Sequence, residues 1–525
     1  AELKTRIPHD QYPQELQKVR MYLADRNVFG VDLNPVAVEL AEVSIWLNAI
    51  YGEQDDNGQP LPARVPWFGY QLFAGNSLIG ARHQVYNAAA LKKGAKPAWH
   101  EAPPRRATTD APRRPDEIWH FLLPDPGMGD YTDKVAKSLY PEDFARLKAW
   151  RKALTAPLGD YEVARLQQLS QQVEALWAQH TAALARDRAR TEDQLRVWPH
   201  EFEVKSASSA DAVGASSYQN GSDYRSTRVS RAQKEAIRQQ GLLNEDGDLA
   251  TPFRRLKLVM DYWCALWFWP ITRSADLPSR EQWWMEVGAI LEGNVVEMET
   301  QRGLDLMPTA PEAPQVLVPE VQPAFEGFET QLPLSQPTGG ANPPNLHDKF
   351  GQLRISKLRQ HFARVAVVED IAAQRRFMHW ELCFADVLLG ARSGADGRPG
   401  GGFDLILGNP PWLKVEWNEA GILGERNPVF AVRKISASDL AKLRAEAFAQ
   451  FPGLQADWLQ ELEEAEGTQN FLNAVQNYPL LKGVQTNLYK CFMPLAWGLN
   501  SAQGVAGLLT PEGPYDDPNG GGLRE

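Results

Sequence analysis

Asn409, Pro410, Pro411 and Trp412 follow directly on the apolar run Phe403 to Leu407. That combination has a definite chemical use. An exocyclic amine on a nucleobase is a poor nucleophile, because its lone pair is delocalised into the ring. Two acceptors aimed at its two N–H bonds draw it towards a tetrahedral shape. The side-chain oxygen of Asn409 supplies one acceptor and the carbonyl of Pro410 the other, with Pro411 adding stiffness to the backbone that aims them. The ring of Trp412 is suited to stack on a base turned out of its duplex. Group transfer to an amine held this way needs neither a metal nor a covalent enzyme intermediate.

A second Asn-Pro-Pro occurs in ANPPNLHD (341–348). No strand precedes it, no aromatic follows it, and it lies in a proline-rich stretch, so Asn342 reads as a linker residue. Two further polar residues end apolar runs. Asp32 closes VFGVD, where a carboxylate either accepts from the two hydroxyls of a ribose or is an ordinary helix-entry acid. Asn76 lies in the Gly-Asn-Ser turn after YQLFA, where it either pairs with a nucleobase edge or simply makes the turn.

The elements that must position these residues can be read from pattern. NVFGVDLNPVAVELAEVSIWLNAI (27–50) is a strand over 28–31 followed by a helix, with Asn34 as N-cap and Pro35 at the first helical position. That helix is apolar on most faces and is expected to be buried. YQLFAGNSLIG (70–80) is a second strand that breaks at Gly75-Asn76. Residues 141–195 carry helical periodicity, and 205–231 are Ser-rich and expected to be mobile. Trp263, Trp267, Trp283 and Trp284 recur at helical spacing and read as core rather than as a ligand cage. Residues 308–344 hold nine prolines, the mark of an extended connector. MHWELCFADVLLG (378–390) has strand character, Phe403 to Leu407 is a short buried strand, and helices follow to about 465. NLYKCFMPLAWGL (487–499) is an amphipathic helix, and GVAGLLTPEGPY (504–515) a last strand and its loop. Strand-helix-strand, a long insertion, then strand-helix-strand implies one parallel-type sheet interrupted by a mainly helical region. In such sheets the carboxyl ends of the strands bind ligands.

FDLILGNPPW, VFGVDLNPVAVELAEVSIWL, FAGNSLIG and HWELCFADV together resemble the amino-group adenine DNA methyltransferases of the type IIG restriction family, a domain also found in the large methyltransferases of the BREX and DISARM phage-defence systems. The four motifs stand in family order and span about 20–80 and 376–525. The resemblance implies a Rossmann-like α/β methyltransferase sheet divided into 1–80 and 376–525 by a helical insertion, 81–375. It implies S-adenosylmethionine as methyl donor, with Asp32 and Leu33 on its ribose side and Asn76, Ser77 and Leu78 near its adenine. It places Asn409, Pro410, Pro411 and Trp412 around the target base. The implied activity is methylation of adenine N6 in double-stranded DNA, in a restriction-modification or phage-defence setting, possible partners being other subunits of a defence complex. Related Asn-Pro-Pro-aromatic loops serve protein-glutamine and ribosomal-RNA methyltransferases, whose chains are compact. A catalytically silent DNA-binding or assembly subunit is the third alternative. The family's glycine-rich loop before the first strand has no counterpart in Ala1 to Arg26, and its target-recognition domain none before Glu525, so the chain reads as an internal portion of a longer enzyme.

Composition bounds the remaining classes. The 525 residues exceed one core and suggest two or three domains. No apolar run is long enough to span a membrane. Cys264, Cys383 and Cys491 lie far apart, which supports neither a zinc site nor a disulfide framework and fits a reducing, cytoplasmic setting. The net charge of -11 argues against adhesion to nucleic acid over the whole surface. Arg105, Arg106, Arg113 and Arg114 form one basic cluster and Arg186, Arg188 and Arg190 another; both read as solvated charge.

Overall fold

The computed structural model describes residues 12–53, 57–195, 229–241, 247–294, 345–390, 401–432, 437–484, 486–518 and 520–524, with His9, Val197 and Leu243. Most of the Ser-rich segment and all of the proline-rich connector, with Asn342, lie outside the described residues.

Helix α1 (Tyr12–Arg26) is followed by strand β1 (Gly30–Asp32) and helix α2 (Pro35–Ala49). The start of α2 is set locally. The Asn34 side chain accepts from the Val36 N–H at 3.0 Å, and Pro35 takes the first helical position, where its missing donor costs nothing. Strand β2 (Leu72–Ala74) pairs with β1 in parallel, Gly30 opposite Leu72 and Asp32 opposite Ala74.

Strands β3 (Gln84–Asn87), β4 (Arg105–Arg106) and β5 (Glu117–Trp119) then form an antiparallel sheet in the order β4-β3-β5. Helices α3 (Pro141–Leu154), α4 (Asp160–Thr191), α5 (Arg231–Gln240), α6 (Pro252–Ala265), α7 (Arg280–Glu292) and α8 (Ala363–Arg375) complete the insertion. Trp263, Trp267, Trp283 and Trp284 are fully buried, as their spacing requires. The indole N–H of Trp263 donates to Leu123 O and that of Trp284 to Leu122 O, each at 2.9 Å. The basic clusters are largely paired rather than laid out as a groove: Arg105 binds Glu117, Arg113 binds Glu174, and Arg188 binds Asp386.

Beyond the insertion, residues 378–390 depart from expectation. They form two short helices, Trp380–Cys383 and Ala385–Leu388, and not a strand. A short apolar run suits a buried helix as well as a buried strand. Here the neighbours are helices, and α4 satisfies the backbone by side chain: Trp177 donates to Glu381 O, and His180 Nε2 meets Leu382 O at 2.8 Å. Strand β6 (Phe403–Gly408), helix α9 (Leu454–Asn473), helix α10 (Leu488–Leu499) and strand β7 (Asn500–Leu508) follow, with β6 and β7 parallel and Leu405 opposite Val505.

The parallel strands therefore stand as two pairs, β1-β2 and β6-β7, with no ladder between them among the described residues. Both pairs start from one aromatic hub. The ring of Phe384 lies 5.6 Å from Phe29, 5.2 Å from Phe73 and 5.7 Å from Phe403. One contiguous buried cluster takes in residues of the first half, the insertion and the last part.

Two segments expected to be buried are open. In α2 only Ala49 is buried; Val36, Leu40, Val43 and Leu47 form an apolar stripe that is 47 to 65% exposed. In β6, Leu405 is 60% and Leu407 73% exposed. Parallel strands are apolar on both faces because both are normally covered. Hydrophobicity thus marks these residues for burial, but nothing among the described residues lies over them.

Candidate functional site

The Asn409–Trp412 loop is held at both ends and open in the middle. Where β6 ends, the Leu509 N–H donates to Gly408 O at 3.0 Å. At the exit, the Leu488 N–H donates to Leu413 O at 2.9 Å, and Lys414 bridges Asn487 at the start of α10. Pro410 is buried between these anchors, while Asn409 and Pro411 are exposed. Trp412 is 57% exposed, and its indole N–H donates to Leu509 O at 3.2 Å. That bond ties the ring to the end of β7. Leu413, Leu509 and Tyr515 add exposed apolar surface on the same loops. An amide with no partner among the described residues, beside a tethered indole, offers hydrogen bonds and a stacking face together.

Asp32 and Asn76 form a second locus, at the carboxyl ends of β1 and β2. Their turns are tied by the Gly75 N–H, which donates to Asp32 O at 2.8 Å. Each polar side chain folds over its own turn. Asp32 Oδ1 accepts from the Asn34 N–H at 2.7 Å, and Asn76 Oδ1 accepts from the Leu78 N–H at 3.2 Å. The second Asp32 oxygen and the Asn76 amide nitrogen have no partner among the described residues. Leu33 is 54% exposed, Ser77 half-buried and Leu78 buried. A carboxylate acceptor, an amide edge and an open leucine are available to a polar ligand at these turns. The structure thus brings Asp32, Leu33, Asn76 and Ser77 together. No hydrogen bond or ring contact joins them to Asn409 or Trp412 among the described residues; the link between the loci is the Phe384 hub.

The Asn76 loop is the better supported of the two, by residues that sequence reading missed. Phe377 bridges Asn76 in parallel, and the Met378 N–H donates to Ile79 O at 2.8 Å. A Cβ at Gly80 would fall 1.9 Å from the Met378 carbonyl oxygen, so only glycine allows this approach. The Trp380 indole donates to Ser77 O at 3.0 Å, and the Tyr478 hydroxyl to Leu78 O at 2.6 Å. Beneath the loop, His379 Nδ1 accepts from the Ala81 N–H and Nε2 meets Asp261 at 2.9 Å. Burial pushes the Asp261 carboxyl up, but Lys257 and the His379 contact outweigh it and hold the group below the ordinary range. His120 Nε2 accepts from the Arg82 N–H at 2.9 Å, and burial lowers its pKa to about 3, which keeps it neutral for that task. The available signal was HWELCFADV itself, a polar pair embedded in an apolar run.

Comparison with protein-family models, with curated proteins and with solved structures finds no match for this chain.

Proposed function

We propose that this chain belongs to an S-adenosylmethionine-dependent methyltransferase that acts on the N6 amine of adenine in double-stranded DNA, as part of a restriction-modification or phage-defence system. The carrying observation is the loop after β6, where Asn409 is open and Trp412 is tethered by its indole N–H yet exposed by more than half. In this reading Trp412 stacks on the flipped adenine, and Asn409 Oδ1 and the Pro410 carbonyl accept from its amine. They would hold the nitrogen as it takes up the methyl carbon, the donor's carbon–sulfur bond breaking in the same step with its electron pair left on sulfur and the extra amine proton passing to solvent. Asp32 would accept from the ribose hydroxyls of the cofactor, Leu33 and Asn76 would border it, and Ser77 and Leu78 shape the turn that carries Asn76. The cofactor, when bound, supplies an electrophilic methyl group. In this reading β1-β2 and β6-β7 are two parts of one Rossmann-like sheet.

Methyl transfer to duplex DNA tests this. Preorganised hydrogen bonds to a transition state are worth about 3 kcal/mol, so Asn409→Ala is expected to lower turnover ~100-fold or more while cofactor affinity holds. Asn342→Ala serves as the control. Normal turnover in Asn409→Ala together with loss in Asn342→Ala would sink the assignment.

One observation favours a second reading, an assembly or DNA-binding platform without catalysis. The apolar stripe of α2 and the outer face of β6-β7 are suited to dock another polypeptide. Absence of methyl transfer by an assembly that still binds duplex DNA would select it.

A further inference from the structure

Arg376 follows α8 with φ 52° and ψ 53°, in the left-handed region. It is the one residue other than glycine with positive φ among the described residues. Glycine is the usual occupant of this position at a helix end. A side chain kept there against its own backbone preference is a pointer to a task that glycine cannot perform.

Arg376 reaches both turns of the Asp32–Asn76 locus. A guanidinium nitrogen donates to Leu33 O at 2.7 Å, across 343 positions of sequence. The Arg376 carbonyl accepts from the Asn76 N–H at 2.6 Å. One residue therefore holds the turn after β1 by its side chain and the turn after β2 by its main chain. Its neighbour Arg375 points the other way, into α9, where it binds Glu464 and donates to Gln460 O. Adjacent arginines thus fasten the end of α8 to α9 on one side and to the two turns on the other. The Arg376 side chain itself remains exposed at the locus.

We propose that Arg376 is a positioning residue: it sets the spacing of Asp32 and Asn76 so that both address one adenosine-containing ligand, and it makes that spacing depend on the insertion. The ligand part of this inference rests on the methyltransferase reading; the positioning part does not.

Arg376→Gly tests it, because the two effects of the substitution have opposite signs. Glycine relieves the backbone, so the melting temperature is expected not to fall. Loss of a hydrogen bond from a charged donor is expected to loosen the turns and weaken S-adenosylmethionine binding by about tenfold or more. Calorimetry on the full chain reads the binding. Hydrogen exchange reads the turns at the Asn34, Gly75 and Leu78 amides, with β6 and β7 amides as internal reference. Arg376→Lys keeps a donor and is expected to restore part of both signals. Faster exchange in both turns with weaker binding supports the proposal. Unchanged exchange in both turns overturns it, whatever binding does. Faster exchange with undiminished binding overturns the ligand-directed part. If the unmodified chain binds no S-adenosylmethionine, the ligand-directed part falls, and hydrogen exchange still decides whether Arg376 positions the turns.

Discussion

The insertion and the parallel strand pairs with helix α2 both carry large apolar side chains, and they use them in opposite ways. In the insertion, Trp263, Trp267, Trp283 and Trp284 lose all contact with solvent. In helix α2 and strand β6, Leu40, Leu47, Leu405 and Leu407 keep 60 to 73% of theirs. Apolar content alone does not say which residues carry stability. The difference is geometric: the tryptophans are fully enclosed by packed neighbours, whereas α2 and the β6-β7 pair each keep an uncovered face among the described residues. The chain's stability therefore resides mainly in the insertion, while the residues with chemical potential, Asp32, Asn76 and Asn409, lie on the open framework.

The sharpest test of this contrast is a pair of truncations. Removing a fully buried Trp side chain costs about 3 to 5 kcal/mol. Trp284→Ala is expected to reach the upper part of that range, because Leu122 O would lose its donor as well. Leu407→Ala is expected to stay within about 0.5 kcal/mol, the usual range for a surface position. Urea unfolding of both variants checks this. Equal losses would mean that the two regions share the load and that the contrast is false.

Titration should probe the buried side of that contrast. Burial raises the carboxyl of Asp125 to about 7, and likewise raises Glu463 to about 7. Asp125 accepts from the Gly127 N–H at 2.8 Å with Arg151 nearby, and Glu463 from the Ile271 N–H at 2.6 Å with Arg375 nearby; neither environment offsets the cost of burial. Both groups bind protons more tightly folded than unfolded. Their contribution is fully present below the unfolded pKa of about 4 and is lost as pH rises through 7, by at most about 4 kcal/mol for Asp125 and about 3 kcal/mol for Glu463. Asp125→Asn and Glu463→Gln should flatten the stability profile between about pH 4 and about pH 7. A profile that steepens instead would contradict the assignment.

On the open side the expected effects fall on binding, not on folding. Trp412→Ala should remove base stacking worth about 1 to 3 kcal/mol in the complex with duplex DNA, with unfolding free energy unchanged. The loss should shrink when the target adenine is mismatched, since less unstacking energy is then recovered. Equal losses on paired and mismatched substrates would remove base stacking as the role of Trp412.

Local signals in the sequence were faithful. Asn34 and Pro35 start α2, Gly75-Asn76 ends β2, and the double proline ends β6, because caps and turns depend on a few adjacent residues. The tryptophan core was legible from spacing alone. Long-range features were not. Nothing in the pattern shows that Phe384 gathers the starts of both strand pairs, or that Arg376 spans from the end of α8 to Leu33, since such contacts join residues hundreds of positions apart. Burial failed for α2 and β6 for a related reason. Hydrophobicity states what a residue favours, and the neighbours that satisfy it are not written in the same segment.

The smallest expected change in stability is the most direct check on that last point. Leu40 and Leu47 sit seven positions apart on α2 and are 61% and 65% exposed, in line with Val36 and Val43. Glutamine has nearly the same helix propensity as leucine, so Leu40→Gln with Leu47→Gln leaves the helix itself intact. In the isolated chain the double variant should shift the unfolding free energy by no more than about 0.5 kcal/mol. It should also lower binding of a hydrophobic dye and self-association, because a contiguous apolar stripe is broken by two amides. Should the double variant instead lose stability on the scale of Trp284→Ala, the stripe must be packed against another part of the chain, and α2 would join the insertion as part of the core.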